Sequence, residues 1–393
     1  MQLKTIKDMG DIKGKRVLVR ADLNVPAENG KVEDATRIER FAPTAKLLSE
    51  KGAKVIILTH FGRPKGAMPE FSTKFLAPVL EKYVGRKVEF APDCKGPAAQ
   101  KAIGKMQGGD ILLLENVRFY PEEEKNDPNF AKELASLGDM YVNDAFSAAH
   151  RAHASTEGIT KYLPSYAGLL MEEEVDALTK ALENPARPCI AIVAGSKVST
   201  KISVLENIAA KVDCMAIGGA MANTFLLAQG HPIGASMAEP DMTDTARKIM
   251  ANGKCEILLP VDVVVAKELK ENAPNRTVGI DEVEPDDKIF DIGQKTIALF
   301  AEKIKASKTA LMNGSLGVYE VKPFNTGTNA VMDILAEETK AGRLTSIAGG
   351  GDTIASLNET GHIDDLTYVS TAGGAFLEWL EGKTLPAIPP LVK

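Results

Sequence analysis

Continuous apolar runs of strand length alternate with helical patterns along the chain, and this alternation is the strongest constraint on its fold. In the first half the runs are VLVRADL (17–23), KVIILTHF (54–61), KVEFAP (87–92), DILLLENV (110–117) and DMYVNDAF (139–146). Helical patterns lie between them, for instance from Thr36 to Lys51, followed by Gly52. Apolar strands that alternate with helices indicate a mostly parallel sheet covered on both faces.

The second half repeats the pattern, so a second sheet of the same kind is expected. Its runs are CIAIVAGS (189–196), CMAIGGA (214–220), EILLPVDVVVA (256–266), KIFDIG (288–293), TALMNGSLGVY (309–319), LTSIAGGGDT (344–353) and LTYVST (366–371). The chain of 393 residues is longer than one hydrophobic core usually serves. Between the halves, 169–188 is interpreted as one long connecting helix ended by Pro185 and Pro188. We therefore expect domains at 1–168 and 189–372, with a Pro-rich C-terminal segment, 373–393, packed on a surface.

Composition narrows the functional classes. The formal net charge of −6 argues against a general nucleic-acid binder, although the first 170 residues carry a small positive excess. No apolar stretch reaches membrane-spanning length, and the N-terminal MQLKTIKDMG lacks the apolar core of a signal peptide. Four scattered cysteines without metal-ligand spacing indicate buried thiols in a reducing compartment. A cytoplasmic protein with no membrane and no nucleic-acid partner is expected.

Basic and polar side chains follow the first-half strands. In parallel sheets ligands bind beyond the carboxyl ends of the strands, and an arginine fork fits carboxylate or phosphate. Taken alone, each of the four arginines at these positions is more simply a member of a surface ion pair. Together, however, Arg37, Arg63, Arg118 and Arg151 lie at one edge of the sheet, two of them beside a histidine, and they predict an anion pocket. For His153 a ligand role and a structural role are equally open. The residues concerned are Asp22, Asn24, Arg37, His60, Arg63, Arg118, His150, Arg151 and His153.

In the second half, a strand ending at Ala194 turns through Gly195 and Ser196 into a helical pattern that carries Lys197 and Lys201. Two lysines four apart would share a helix face, and a helix N-terminus favours anions. The pattern predicts a phosphate-binding loop, with a solvated basic edge as the simpler alternative for this motif alone. Neither the P-loop nor the Gly-x-Gly-x-x-Gly dinucleotide pattern is present.

Glycines follow the later strands and permit close approach of the backbone to a ligand. They include Gly218, Gly219, Gly350 and Gly351. Asp352 and Thr353 then fit the start of a helix. Asp352 is a plain capping residue on one interpretation and a Mg²⁺ ligand beside bound phosphate on the other.

Taken together, ten ordered motifs resemble the phosphoglycerate kinase family along essentially the whole chain. They are VLVRADLNVP, EDATRIER, THFGRPKG, LLLENVRF, VNDAFSAAHRAHAST, AGSKVSTKISVLEN, IGGAMANTF, NGSLGVYE, AGGGDTIASL and STAGGAFLEWLEGK. The resemblance implies two doubly wound, Rossmann-like parallel-sheet domains joined by a helix, with the C-terminal tail returning to the first. It also implies a phosphotransferase with a carboxyl group as acceptor, which exchanges a phosphoryl group between 1,3-bisphosphoglycerate and ADP, with 3-phosphoglycerate and ATP as products. A monomer is expected.

The resemblance also implies the residue roles. The first domain would bind 3-phosphoglycerate through Asp22, Asn24, Arg37, His60, Arg63, Arg118 and Arg151. The second would bind Mg²⁺–nucleotide through Lys197, Lys201, Gly218, Gly219, Asn313, Glu320, Gly350, Gly351, Asp352 and Thr353, with Asp352 on the Mg²⁺. Arg37 and Lys197 would act on the moving phosphoryl group after the domains close about the 169–188 hinge.

Three short stretches depart from the usual family pattern. The chain has Ala194-Gly195-Ser196-Lys197 for Gly-Gly-Ala-Lys, Met312-Asn313-Gly314-Ser315 for Trp-Asn-Gly-Pro, and Ala21-Asp22-Leu23-Asn24 for Val-Asp-Phe-Asn. The charged positions are kept, and the Ser315 change bears on the fit around the adenosine. A catalytically silent nucleotide-binding protein is the main alternative, and a NAD-dependent dehydrogenase is a poorer one because its fingerprint is missing.

Overall fold

The computed structural model describes all residues, 1–393. The chain divides into two compact units, Met1–Asp176 with Thr384–Lys393, and Ala177–Lys383. Each unit is built on a six-stranded, fully parallel sheet with helices between the strands. The predicted α/β fold class with two parallel sheets is therefore confirmed.

The first unit contains eight strands and five helices, the last of which extends two residues beyond Asp176. In chain order they are β1 (Arg16–Arg20), β2 (Ala27–Glu28), β3 (Lys31–Val32), α1 (Thr36–Glu50), β4 (Lys54–Leu58), α2 (Ala77–Val84), β5 (Val88–Ala91), α3 (Gly96–Gly104), β6 (Ile111–Leu114), α4 (Pro128–Ala135), β7 (Met140–Asn143), β8 (Ser165–Ala167) and α5 (Leu169–Leu178). The sheet order is β5-β6-β4-β1-β7-β8, and β2 pairs with β3 in a small hairpin. The five predicted strands are confirmed but are shorter than their apolar runs. The short β2, β3 and β8 were not predicted because they lack a continuous apolar run.

Alternating side chains of β1 and β4 fill two cores, one on each face of this sheet. Val17 and Ile57 belong to one core together with residues of α1 and α2. Leu18 and Ile56 belong to the other, which contains Phe130 of α4. Successive strand residues point to opposite faces, so a strand covered on both sides must be apolar throughout. The helices thus occupy the faces and leave the carboxyl edge of the sheet to loops.

The second unit contains nine strands and seven helices. They are β9 (Cys189–Ala194), α6 (Ile202–Ala209), β10 (Cys214–Gly218), α7 (Ala220–Ala228), α8 (Thr243–Ala251), β11 (Glu256–Leu258), β12 (Asp262–Ala266), β13 (Asn275–Gly279), β14 (Lys288–Ile292), α9 (Gln294–Ala306), β15 (Thr309–Asn313), α10 (Thr326–Lys340), β16 (Thr345–Gly349), α11 (Gly351–Thr360), β17 (Tyr368–Ser370) and α12 (Gly374–Leu380). The parallel sheet has the order β11-β10-β9-β15-β16-β17, and β13-β12-β14 form a separate antiparallel sheet.

The expectation of a single strand over 256–266 is wrong. The run divides into β11, which belongs to the parallel sheet, and β12, which belongs to the antiparallel one. Pro260 lies in the break, where a residue without a backbone N–H interrupts a ladder. The 288–293 run likewise forms β14 of the antiparallel sheet rather than a strand of the parallel one.

The connecting segment and the tail bear on the expected boundaries. Regular helix α5 ends at Leu178, and one π-helical turn, Thr179–Glu183, follows before Pro185. At the C-terminus the backbone N–H of Lys4 donates to Leu391, 2.7 Å away, so the tail packs on the first unit as expected. Only Thr384–Lys393 does so, however, since the preceding residues with α12 belong to the second unit. No helix in the structure combines the length and apolarity needed to cross a membrane.

Candidate functional site

The loops that leave β1 and β4 meet the first turn of α1. The guanidinium of Arg37 donates from Nη1 to the Asp22 carboxylate and to the Asn24 carbonyl, each 2.9 Å away. The Asn24 side-chain oxygen accepts a hydrogen bond of 2.9 Å from the backbone N–H of Gly62. Ser147, in the loop after β7, donates its hydroxyl to Asp22. Three of the predicted residues therefore form one connected group at the carboxyl edge of the sheet.

Behind this group lie buried basic side chains. His60 and Arg118 are 6% and 7% exposed. Arg118 donates to the Gly62 carbonyl over 2.9 Å, so the same glycine links it to Asn24. Its Nε is buried and has no hydrogen-bond partner, and its closest carboxylate, Glu124, lies 3.9 Å away. A buried guanidinium with spare donors is suited to an anionic ligand.

Sequence reasoning missed Arg20, which is 1% exposed and joins this cluster from the end of β1. Its Nε donates to the Ser155 hydroxyl over 2.7 Å, and its Nη2 lies 3.1 Å from Nδ1 of His60. Ser155 in turn donates to the buried carboxyl of Glu123. The sequence does carry a signal for Arg20, because a strand that is apolar on both faces leaves no exposed position for an arginine.

The electrostatics of the cluster are dominated by its arginines. Burial and the neighbouring Arg20 hold the pKa of His60 well below its usual value. Burial and Arg118 lower the pKa of His153 to about 4. Burial also raises the pKa of Glu123, so this carboxyl is a weaker counter-charge for the arginines. Although burial opposes the ionisation of Asp22, nearby positive charge and hydrogen bonds hold its pKa below the ordinary value. Both histidines are thus neutral near pH 7, and the positive charge resides on guanidinium groups.

Two predicted arginines are not held in this hydrogen-bonded group. Arg63 is exposed and forms no ion pair. Arg151 places its Nε 3.2 Å from Nε2 of His150, and its charge contributes to the lowered pKa of Arg118 and of His153. His153 is 7% exposed, and its backbone carbonyl accepts from the loop that follows it. Its contacts are those of a structural residue beside the cluster.

In the second unit, the expectation that Lys197 and Lys201 share a helix face is wrong. Helix α6 begins at Ile202, Lys201 is its N-cap, and Lys197 lies in the preceding loop. Lys201 donates its ammonium to the Ala194 carbonyl, 2.7 Å away, and to the Asn313 side chain, 2.6 Å away. Burial lowers its pKa to about 8. Lys197 is exposed and forms no ion pair within 4.0 Å, so its ammonium is accessible to a ligand.

Two glycines, Gly219 and Gly350, allow the loops that follow the strands of the second unit to pack closely against one another. Gly219 has φ +70°, and a Cβ there would lie 2.6 Å from the Gly195 carbonyl oxygen and 3.2 Å from that of Ser315. Gly350 has φ +101°, and a Cβ there would lie 2.6 Å from Nδ2 of Asn313. The neighbouring Gly218 packs against Leu316. Side chains at these positions would separate the loops after β9, β10, β15 and β16.

The N-terminus of α11 presents a carboxylate. Gly350 is the N-cap, so Asp352 does not cap the helix, and its exposed side chain forms no ion pair. The hydroxyl of the buried Thr353 accepts from the backbone N–H of Gly314 over 2.8 Å. A single free carboxylate beside a helix N-terminus fits Mg²⁺, which takes few protein ligands and shares its shell with water and phosphate.

These elements border a cleft of about 610 Å³. Gly195, Gly219 and Asp352 line one part of it, together with the family-atypical Ser196 and Ser315. Its apolar lining includes Pro260, Val263, Ile289, Phe290 and Leu316, and Glu320 lies at its border. Concave, mostly apolar walls with a few convergent polar groups are typical of a small-molecule site.

Known proteins match this chain along nearly its full length. A family model described as phosphoglycerate kinase matches residues 6–383. The phosphoglycerate kinases of Methylorubrum populi and Rhizobium leguminosarum are each 56% identical over 392 residues, covering 99% of this chain and 98% of theirs. The solved structure of phosphoglycerate kinase from Coxiella burnetii superposes with a TM-score of 0.93 at 44% identity and covers all of both chains. That from Pyrococcus horikoshii has a TM-score of 0.80 at 31% identity and covers 99% of this chain and 98% of its own. The chain therefore belongs to the phosphoglycerate kinase family.

Proposed function

We propose that this enzyme catalyses the reversible transfer of a phosphoryl group from 1,3-bisphosphoglycerate to ADP, giving 3-phosphoglycerate and ATP. The observation that carries the proposal is the arginine cluster of the first unit. Arg20 and Arg118 are buried there, beside a histidine that burial keeps neutral. A pocket of this kind selects a small, multiply charged anion with phosphate and carboxylate groups.

We assign the phosphoglycerate to this cluster, with Asp22, Asn24, Arg37, His60, Arg63, Arg118 and Arg151 as its binding residues. Asp22 and Asn24 already hold the guanidinium of Arg37 by hydrogen bonds of 2.9 Å. The exposed Arg63 would contribute long-range attraction rather than a preorganised contact.

We assign the nucleotide to the cleft of the second unit. Its apolar walls suit a base, and Glu320 at its border would accept hydrogen bonds from ribose hydroxyl groups. Lys201 and the N-termini of α7 and α11 would hold the phosphates. Mg²⁺, bound through Asp352 and the nucleotide, would supply further neutralisation of phosphate charge.

The chemistry demands charge neutralisation rather than proton abstraction. The attacking group is a phosphate oxygen of ADP in one direction and a carboxylate oxygen in the other, and both are already anionic. No general base is needed, so positioning and electrostatic stabilisation carry the rate.

Arg37 and Lys197 are the proposed catalytic charges. Because they belong to different units, we propose that the enzyme closes about 169–188 when both substrates are bound, which also excludes water. We propose a monomer, since each assigned site is built from one chain.

A coupled assay tests the proposal by measuring ATP formed from ADP and 1,3-bisphosphoglycerate. Activity is expected with the wild-type enzyme and should fall roughly 10²–10³-fold in kcat for Arg37→Ala, by analogy with the loss of one preorganised charge. Lys46→Ala is a matched control, because it removes a basic residue of the same helix whose side chain is 56% exposed. Nucleotide binding without phosphoryl transfer would refute the proposal in favour of a silent binding protein. Near-normal turnover of correctly folded Arg37→Ala would refute that assignment.

A further inference from the structure

Lys197 lies on a loop without regular structure. The Gly195 carbonyl at its start accepts from the Met221 backbone N–H over 2.8 Å, and a carboxylate remote in the sequence holds its middle part. Between β9 and α6, the residues from Gly195 to Thr200 form neither helix nor strand. Within the loop, the hydroxyl of Thr200 donates to the Lys197 carbonyl over 3.0 Å. The Lys197 side chain itself is exposed and forms no ion pair within 4.0 Å. A lysine side chain loses rotamer entropy when a ligand fixes it, so a backbone that is already held leaves less freedom to be lost.

Glu239 supplies this support from 40 positions further along the chain. Its Oε2 accepts a hydrogen bond of 3.1 Å from the backbone N–H of Ser199, and its Oε1 accepts from the Ser199 hydroxyl. Although burial opposes ionisation, the hydrogen bonds from Ser199 and from the backbone N–H of Val198, together with the nearby charge of Lys197, hold the pKa of the Glu239 carboxyl below its ordinary value. One carboxylate therefore fixes the two residues that follow Lys197. Charge-assisted hydrogen bonds of this kind are about twice as strong as neutral ones.

The segment that carries Glu239 is in turn anchored to α7. The backbone N–H of Glu239 donates to the hydroxyl of Thr224 over 3.0 Å, and Asn223 donates its side-chain amide to the Met237 carbonyl over 3.0 Å. Both anchoring side chains are buried, at 0% and 1% exposure. Helix α7 begins at the edge of the cleft, directly after Gly219. The support of the Lys197 loop is thus continuous with an element that borders the nucleotide cleft.

We infer that Glu239 is a positioning residue for phosphoryl transfer, which acts by holding the Val198–Ser199 peptides so that Lys197 projects over the cleft. The inference rests on the proposed function, because it takes Lys197 as a catalytic charge. Glu239 itself does not touch the reacting groups. Its removal frees Ser199, two residues after Lys197, and leaves the arginine cluster of the first unit unchanged.

Steady-state kinetics of five variants test the inference: Glu239→Ala, Glu239→Gln, Ser199→Ala, Lys197→Ala and the double variant that combines Glu239→Ala with Lys197→Ala. Glu239→Ala should lower kcat about tenfold or more, because a displacement of about 1 Å at a reacting group costs up to about 10²-fold. Its KM for 3-phosphoglycerate should stay within about twofold of wild type. Glu239→Gln retains an acceptor oxygen and should recover most of the rate. Ser199→Ala, which keeps the carboxylate, should lower kcat about threefold and gives a milder second test.

The double-mutant cycle separates positioning from general stability. If Glu239 acts through Lys197, its removal in the Lys197→Ala background should change kcat by less than about twofold. Independent losses that multiply would overturn the inference, as would a wild-type kcat for Glu239→Ala. Glu282→Ala is the matched control, since Glu282 is an exposed carboxylate that accepts the Gly279 N–H over 2.8 Å, in a turn that does not line the cleft. If Lys197→Ala keeps full activity, the proposed function loses its catalytic lysine, an outcome distinct from failure at Glu239.

Discussion

Replacing Gly219 by alanine should damage catalysis far more than it damages stability. Gly219 has φ +70° and ψ −169°, a backbone region that is essentially restricted to glycine. An alanine Cβ there would also lie 2.6 Å from the Gly195 carbonyl oxygen and 3.0 Å from the Gly195 nitrogen. Both atoms belong to the backbone, so no side-chain rotation can relieve the contact.

The magnitude follows from these two effects. The backbone strain should cost about 1–3 kcal/mol of the free energy of unfolding. For a unit of this size that lowers Tm by roughly 2–10 °C, which leaves the protein folded at 25 °C. To restore an ordinary contact of 3.4 Å, the Gly195 peptide must retreat by roughly 0.8 Å. Gly195 lies two residues before Lys197, and a shift of this size at a reacting group costs about 10²-fold in kcat.

Calorimetry and the coupled assay measure the two effects separately. Gly361→Ala is the matched control: Gly361 has φ +76°, and no atom lies within 4 Å of the point that an alanine Cβ would occupy, so this variant carries backbone strain without a collision. The control should lose stability but keep its kcat within about threefold. Wild-type kcat in Gly219→Ala, or equal losses of kcat in both variants, would refute the argument that loop contact at Gly219 sets the position of Lys197.

Three further predictions concern the two units. Burial raises the pKa of Asp291 to about 7, so its contribution to stability is complete below about pH 4 and is lost as the pH rises through 7; this amounts to about 4 kcal/mol, and Asp291→Asn should flatten the pH dependence of Tm over that range. Asp352→Ala should weaken nucleotide binding in the presence of Mg²⁺ and have little effect in EDTA, as calorimetric titration would show; equal weakening in both would contradict its role as a metal ligand. The radius of gyration measured by X-ray scattering should decrease when 3-phosphoglycerate and nucleotide are both bound, and no change would count against closure.

The parallel sheets could be predicted because their strands are buried on both faces. A residue such as Ile56 or Ile192 is apolar regardless of which face it occupies, so the run is continuous and easily recognised. The antiparallel sheet could not be predicted in the same way. β12 has an equally apolar sequence, and only its partners, β13 and β14, distinguish it from a parallel strand. Pairing is a long-range property that the local pattern does not contain.

The start of α6 shows the same limit at the scale of one loop. The spacing of Lys197 and Lys201 is compatible with a helix, and the local sequence does not exclude one. The hydrogen bonds from Ser199 to Glu239 hold the backbone in another conformation, and their acceptor lies 40 residues away. Local propensity is decided here by a tertiary contact.

The arginine cluster could be located from the sequence, but its interior could not. The loop arginines were recognised because they follow strands, whereas Arg20 was hidden within an apolar run. Burial lowers the pKa of Arg118, and the charges of Arg20 and Arg151 lower it further, so the ligand-free cluster holds like charges at close range. Such an arrangement is unfavourable for folding, and a bound anion would offset its cost. Rules derived from fold stability place arginines at the surface in ion pairs, and they do not place Arg20 and Arg118 in the interior. Under the proposed function, both side chains would serve a bound anion.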